Sequence, residues 1–327
     1  MNPRSTAAAC ALAAAVLLTG HACAQQEGTA LSERMEQADQ LFKSREYDEA
    51  GVLFEGIATE AEAAGDHSTF VEAACMRARS YLIAENRDEG RSWLLKAAAK
   101  AVESDPPGWS RYLGVRGRFE WQDGDNEAAT DTFREMFNYC ESNTLWERAI
   151  DAAHMIAITG DREEKFDWSL KGIEMAEKGG MDGWLGPLWN NLGWNYYDEK
   201  RYGEAYDALV KAREYHYKGE GELPKLIADY SVAHVMMVQD RTHEAEAAML
   251  DVLEWATRLE AEGDGSAAEW MGFARWDIGE MAIKTGNREA GVEMLSRALG
   301  EIEKSGMPDW DPDQWKQKQD RVAELRR

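Results

Sequence analysis

The chain has 327 residues, with 61 Asp and Glu against 37 Lys and Arg, and its formal net charge is −24 at pH 7. A surface of that sign repels nucleic acid and anionic lipid, which excludes both as partners. With 30% charged and 44% hydrophobic residues it is neither a disordered tail nor a collagen-like fibre, and no stretch after residue 24 is apolar enough to span a membrane.

The first element is read as a secretion signal over residues 1–24. Arg4 is a short positive start, Ala7 to Leu18 (AAACALAAAVLL) is an apolar run too short to cross a bilayer, and Ala22-Cys23-Ala24 fits cleavage before Gln25. Processing as a lipoprotein at Cys23 is the alternative, against which stands the absence of Leu three places before the cysteine. The expected location is the periplasm or cell envelope of a bacterium. Of four cysteines, Cys10 and Cys23 fall in this leader; Cys75 and Cys140 remain, either as one disulfide of an exported chain or as two small buried hydrophobes.

After a short linker at 25–30, a helix–turn–helix pattern recurs over 31–306 at a step of about 40 residues. Each copy has an apolar helix, a tight polar turn, then a polar-polar-small step into a second apolar helix. The turns are REYDEA (45–50), NRDEG (86–90), DGDNEAA (123–129), TGDREEKF (159–166), KRYGEA (200–205), DRTHEA (240–245) and TGNREAG (285–291). The small residue falls at Ala50, Gly90, Ala129, Ala205, Ala245 and Gly291, where it lets two helices approach closely. The fourth copy has Phe166 there, which predicts a splayed or shifted helix pair. Helical spacing is plain in the fifth copy, where Trp189, Leu192, Gly193 and Tyr196 follow i, i+3, i+4, i+7. Pro106, Pro107, Pro187, Pro224, Pro308 and Pro312 are placed between helices or in first turns, where a missing N–H costs nothing.

The last element, 307–327, opens with Asp309-Trp-Asp-Pro-Asp-Gln-Trp. Its aspartates have a calcium-loop spacing, but Gln314 stands where that loop needs Gly. Asp311 as N-cap with Pro312 at the first helical position predicts instead a solvent-facing capping helix. No Walker loop, nucleophile elbow or HExxH occurs, and His67, His154, His216, His234 and His243 are scattered, so neither an enzyme, a cofactor nor a metal is expected.

The fifth copy, WNNLGWNYYDEKRYGEAYDALVKA, resembles a tetratricopeptide repeat: Trp189, Leu192-Gly193, Tyr196, Tyr202, Ala205, Leu209 and Ala212 supply its pattern. The first copy is similar through Ala38, Leu41, Tyr47, Ala50 and Phe54, and the seventh through Gly279, Ala282, Leu295 and Ala298. The resemblance implies an all-α, right-handed superhelical solenoid of about seven antiparallel helix pairs, used as a non-enzymatic scaffold that binds a protein or peptide segment in its concave groove; with the leader, the expectation is an exported scaffold. A lipid-anchored structural part of an outer-membrane complex, or a glycan-binding accessory protein, are the alternatives. The family's groove-facing positions fall on Asp39, Arg79, Arg118, Trp121, Asn190, Trp194, Tyr197, Tyr230, His234, Met237, Trp276 and Glu280. Its terminal-carboxylate grip needs Asn where this chain has Trp194 and His234, so an aromatic groove drawing on the chain's 13 tryptophans is expected instead. The bland counter-readings are rings packed between helices and arginines paired with nearby acids.

Overall fold

The computed structural model describes residues 30–327. The secretion signal, with Arg4, Cys10, Cys23 and the boundary before Gln25, lies outside the described residues. The described chain is all-α and forms two compact units that divide between Thr159 and Gly160. In the first unit α1 (30–43) packs on α2 (Tyr47–Ala64) through Phe42 against Phe54 and Arg34 against Glu60, α3 (His67–Ile83) pairs with α4 (Arg87–Ala98), α5 (Pro106–Gln122) with α6 (Asn126–Ser142), and α7 (Trp146–Thr159) packs on α6. In the second unit α8 (Arg162–Gly179) packs on α9 (Asp182–Asp198), which pairs with α10 (Tyr202–His216). There α11 (Glu222–Val238) pairs with α12 (Thr242–Ala261), α13 (Ala267–Lys284) with α14 (Arg288–Lys304), and the short α15 (Met307–Trp310) leads into α16 (Pro312–Leu325).

One turn geometry recurs. Arg45, Glu85, Gly124, Lys200, Asp240 and Gly286 all have positive φ, from 59° to 96°, and each stands five places before the small residue of its repeat. The next residue's N–H then reaches back into the helix it leaves: Glu46 to the Leu41 carbonyl at 2.9 Å, Asn86 to Tyr81 at 2.9 Å, Asn287 to Ala282 at 2.8 Å. These bonds satisfy carbonyls that a helix end leaves open. Four of the six residues are not glycine, so the packing that follows outweighs a left-handed cost of roughly 1–2 kcal/mol.

That packing rests on the small residue. Ala50, Ala129, Ala205 and Ala245 are wholly buried. At Gly291 a Cβ would stand 2.6 Å from the Gly279 carbonyl and 2.4 Å from Ile283 Cγ1, so α13 and α14 touch backbone to backbone.

The fourth repeat breaks the rule. Five places before Phe166 stands Asp161, with φ −70°, capping α8 through the Glu163 and Glu164 amides in a capping box. Phe166 turns to α9, its ring 5.1 Å from Tyr196, with the Arg201 guanidinium over both. The division between the two units falls at the start of this turn.

Three expectations are refined. Pro187 lies inside α9, because that helix begins a turn earlier, at Asp182. Asp311 does cap α16, accepting from the Gln314 amide at 3.0 Å. However, α16 faces solvent on one side only: Val322 and Leu325 are buried, and with Trp315 they join a core of Trp276, Leu295, Ala298 and Ile302. Cys75 and Cys140 are free and buried, their thiols pushed up to about 12 and about 11 by loss of solvent. No described helix is long and apolar enough to cross a membrane.

Candidate functional site

In the second unit the first helices of successive pairs bring a set of rings together. Trp194 and Tyr197 on α9 are a turn apart, and their ring centroids are 5.2 Å apart. His234 on α11 lies 5.8 Å from the Trp194 ring and 5.3 Å from the Tyr197 ring. Tyr230, one turn before it, stacks on His234 at 5.6 Å and meets Trp270 and Phe273 of α13 at 5.2 and 6.1 Å. Behind them is Asp277, 4% exposed, whose Oδ2 accepts from His234 Nδ1 at 2.6 Å. The other ring nitrogen of His234, Nε2, is 3.0 Å from the Tyr197 hydroxyl. Asp277, His234 and Tyr197 thus form one hydrogen-bonded chain across three helices. Burial first, then Asp277, drives the Tyr230 hydroxyl well above the ordinary tyrosine range; burial also raises Tyr197.

Trp194, Tyr197 and His234 remain half-buried, whereas Tyr230 is buried. The result is a ring surface held from beneath by a carboxylate. Such a surface offers contact area at little ordering cost and takes apolar or cationic groups on its ring faces. Asn190, a turn before Trp194, keeps a buried Oδ1 with no donor among the described residues.

The seventh repeat contributes less than its sequence positions imply. Trp276 is 9% exposed, with Lys318 Nζ of α16 only 4.1 Å from its ring centre, and Glu280 is taken by Arg321 at 3.0 Å. Trp276 is therefore no open anchor: α16 covers it. Lys318 is buried enough for desolvation to lower its pKa, with Asp277 and Glu280 opposing.

In the first unit the corresponding positions are charged. Arg118 on α5, 8% exposed, donates to Asp151 of α7 at 2.7 Å and to the Gly114 carbonyl at 2.9 Å. It is a buried ion pair, the plainer of the two readings. Arg79 on α3 differs: no carboxylate bonds to it among the described residues, and its guanidinium lies 4.9 Å over the Phe42 ring. Trp121 is half-buried near the end of α5. Burial would raise the Asp151 carboxyl, but Arg118, Arg79 and the hydrogen bond bring it down to about 2. Burial lowers neighbouring His154 to about 4, against the pull of Asp151. Elsewhere in this unit a cleft of about 520 Å³ lies among Phe70, Trp93, Lys96 and Lys100. Its lysines already sit over Trp93 and Phe70, and Lys100 is paired with Glu62.

No protein-family model and no curated protein matches the sequence. Solved structures do match in fold. A STAND signal-transduction ATPase with a tetratricopeptide-repeat sensor, from Pyrococcus horikoshii, aligns at 15% identity and TM-score 0.62, over 89% of this chain and 43% of its own. A Rap protein complexed with competence and sporulation factor aligns at 14% identity and TM-score 0.60, over 84% of this chain and 77% of its own. The apo form of RapI aligns at 8% identity and TM-score 0.63, with the same coverage. The chain has the tetratricopeptide-repeat fold. It spans less than half the length of the Pyrococcus protein, and at these identities the likeness is one of fold alone.

Within the tetratricopeptide pairs, the sequence placed Trp194, Tyr197, Tyr230 and His234 on first helices, and the structure brings those four together. It does not bring Trp276 to an open surface. Sequence reading missed Asp277, Trp270, Phe273 and Asp151. A usable signal was present for both aspartates, since each is set among apolar residues of its helix, in ARWDIGEMAI and ERAIDAAHMI. An acid so placed must find a partner.

Proposed function

We propose that the chain is an exported, non-enzymatic protein-interaction scaffold whose second unit holds a segment of a partner protein on the face formed by Trp194, Tyr197 and His234. The observation that carries this reading is the fixed ring cluster, in which three half-exposed rings are locked in mutual contact and tied to Asp277 from behind. Rings held in place before binding lose little entropy when a partner arrives. The acidity of the chain favours a segment that carries Lys or Arg beside apolar groups. A Rap protein of the same fold has been solved with competence and sporulation factor, so the fold accommodates bound factors. Export to a bacterial periplasm or envelope rests on the leader at residues 1–24.

The test is capture from native envelope extract by immobilised chain starting at Gln25, beside Trp194→Ala confirmed folded by circular dichroism. One protein retained by the wild type and lost by the variant supports the face; equal retention by both removes it. Expression of the full chain in a bacterial host decides export. Gln25 as the mature N-terminus, or a lipid mass on Cys23, supports export, and an uncleaved chain in the cytoplasm overturns it.

A further inference from the structure

The first unit carries a charge imbalance that the ring face of the second does not explain. Four arginines converge from three successive first helices: Arg79 on α3, Arg111 and Arg118 on α5, and Arg148 on α7. Three carboxylates answer them. Arg118 holds Asp151 at 2.7 Å. Arg148 is filled by Glu72, the Pro107 carbonyl and the Ser110 hydroxyl. Arg111 has only Glu72 Oε2, the oxygen Arg148 already holds, at 3.5 Å and Asp39 at 3.9 Å, and its buried Nε meets no acceptor among the described residues. Arg79 has no carboxylate partner at all among the described residues. Nearby His154 is held near 4 and contributes no charge at neutral pH.

One positive charge is therefore left over, on a half-buried side chain, in a protein with a net charge of −24. Leaving a charge partly desolvated and unpaired is costly. Arg79 shows the strain: burial and the like charge of Arg118 lower its pKa to about 9, against the pull of Asp151. Its geometry suits an incoming group. The Phe42 ring takes one face of the guanidinium, which leaves the in-plane N–H edge for a ligand. That edge is a fixed fork matched to two oxygens of a carboxylate. A single surplus charge also fits a carboxylate better than a phosphate dianion.

We propose that Arg79, with Arg118 and Arg111 beside it, is a receptor for one carboxylate group, carried by a small molecule or by an acidic side chain of a peptide. This site stands apart from the ring face in residues, charge and unit, and it is independent of the partner proposed there.

The test is thermal unfolding of the chain from Gln25 at constant ionic strength, with acetate or chloride as the anion, and with the peptide acetyl-Gly-Glu-Gly-amide or its Gln analogue. Arg79→Gln removes the surplus charge, and Asp151→Asn removes a competing carboxylate. The expected result is stabilisation of the wild type by acetate or the Glu peptide beyond chloride and the Gln peptide. In chloride Arg79→Gln is at least as stable as the wild type, while its apparent affinity for the carboxylate falls by at least about tenfold. Asp151→Asn binds more tightly than the wild type. A response to acetate assigns a free small carboxylate, and a response to the Glu peptide alone assigns a peptide side chain. No wild-type response to either probe overturns the proposal, as does an unchanged response in Arg79→Gln. If Arg79→Gln fails to fold, Asp151→Asn decides: binding no tighter than wild type overturns the proposal.

Discussion

His234 Nδ1 and Asp277 Oδ2 are 2.6 Å apart, although 43 residues separate them in the chain. The bond joins α11 to α13 inside the second unit. It fixes the plane of the His234 ring, against which Trp194, Tyr197 and Tyr230 are all set. Asp277 is thus the support for a surface that it does not itself present.

Asp277→Ala leaves His234 Nδ1, which also faces the buried Tyr230 hydroxyl at 3.4 Å, without its carboxylate acceptor. The expected cost is about 1–3 kcal/mol, from burying unsatisfied polar groups. Urea unfolding checks it, and the near-ultraviolet circular dichroism of the folded variant should change as the rings lose their common orientation.

Two glycines of α14 should respond in opposite directions. Gly291→Ala forces a methyl against the Gly279 carbonyl and Ile283, and should destabilise by about 1–3 kcal/mol. Gly300, in the same helix, has nothing within 4 Å of an added Cβ. Gly300→Ala should therefore stabilise by about 0.5–1 kcal/mol through helix propensity. Paired denaturation midpoints give the comparison.

Acid should weaken the first unit in two stages. His154 is held near 4 when folded against an ordinary 6.5, so the unfolded chain binds its proton first and stability falls as pH drops from about 6.5 towards 4. Asp151 is held near 2 against an ordinary 3.8, so its contribution, present above that value, is lost as pH falls from about 4 towards 2. His154→Gln should flatten the first stage alone. Hydrogen exchange of α5 and α7 across this pH range measures both.

Placing a charge under the last helix should release it. Val322 is 3% exposed, and Val322→Asp should cost about 2–4 kcal/mol at that contact. Hydrogen exchange should then rise in α16 and in the end of α13 that bears Trp276 and Glu280, with α9 and α10 unchanged.

Cys75 and Cys140 should be silent to thiol reagents in the native chain from Gln25. Both are free and wholly buried, and their thiols are held well above neutral pH. Titration with an aromatic disulfide should give no reaction at pH 8 and two equivalents in denaturant. Rapid reaction of the native protein would contradict the buried packing.

The fold was legible because its causes are local. A small residue at Ala50, Ala205 or Gly291, and a turn residue five places before it, act within one helix pair, and a period exposes them by repetition. The interruption at Phe166 was legible for the same reason, as a break in that period. Even there the sequence did not say where the ring would go, because its neighbour Tyr196 belongs to the next pair.

The site was legible only as a stripe. Helical spacing by itself determined that Trp194, His234, Arg79, Arg118 and Trp276 lie on the first helices of their pairs. Tertiary structure decided their fates. Arg118 met Asp151 while Arg79 met Phe42 and no acid; Trp276 was covered by Lys318 while Trp194 stayed half-open. The physical reason is that spacing within a helix sets which residues share a face. Whether such a residue is paired, covered or open depends on the rotation and offset of helices more than thirty residues away, where single side chains such as Asp151, Asp277 and Lys318 leave no periodic trace.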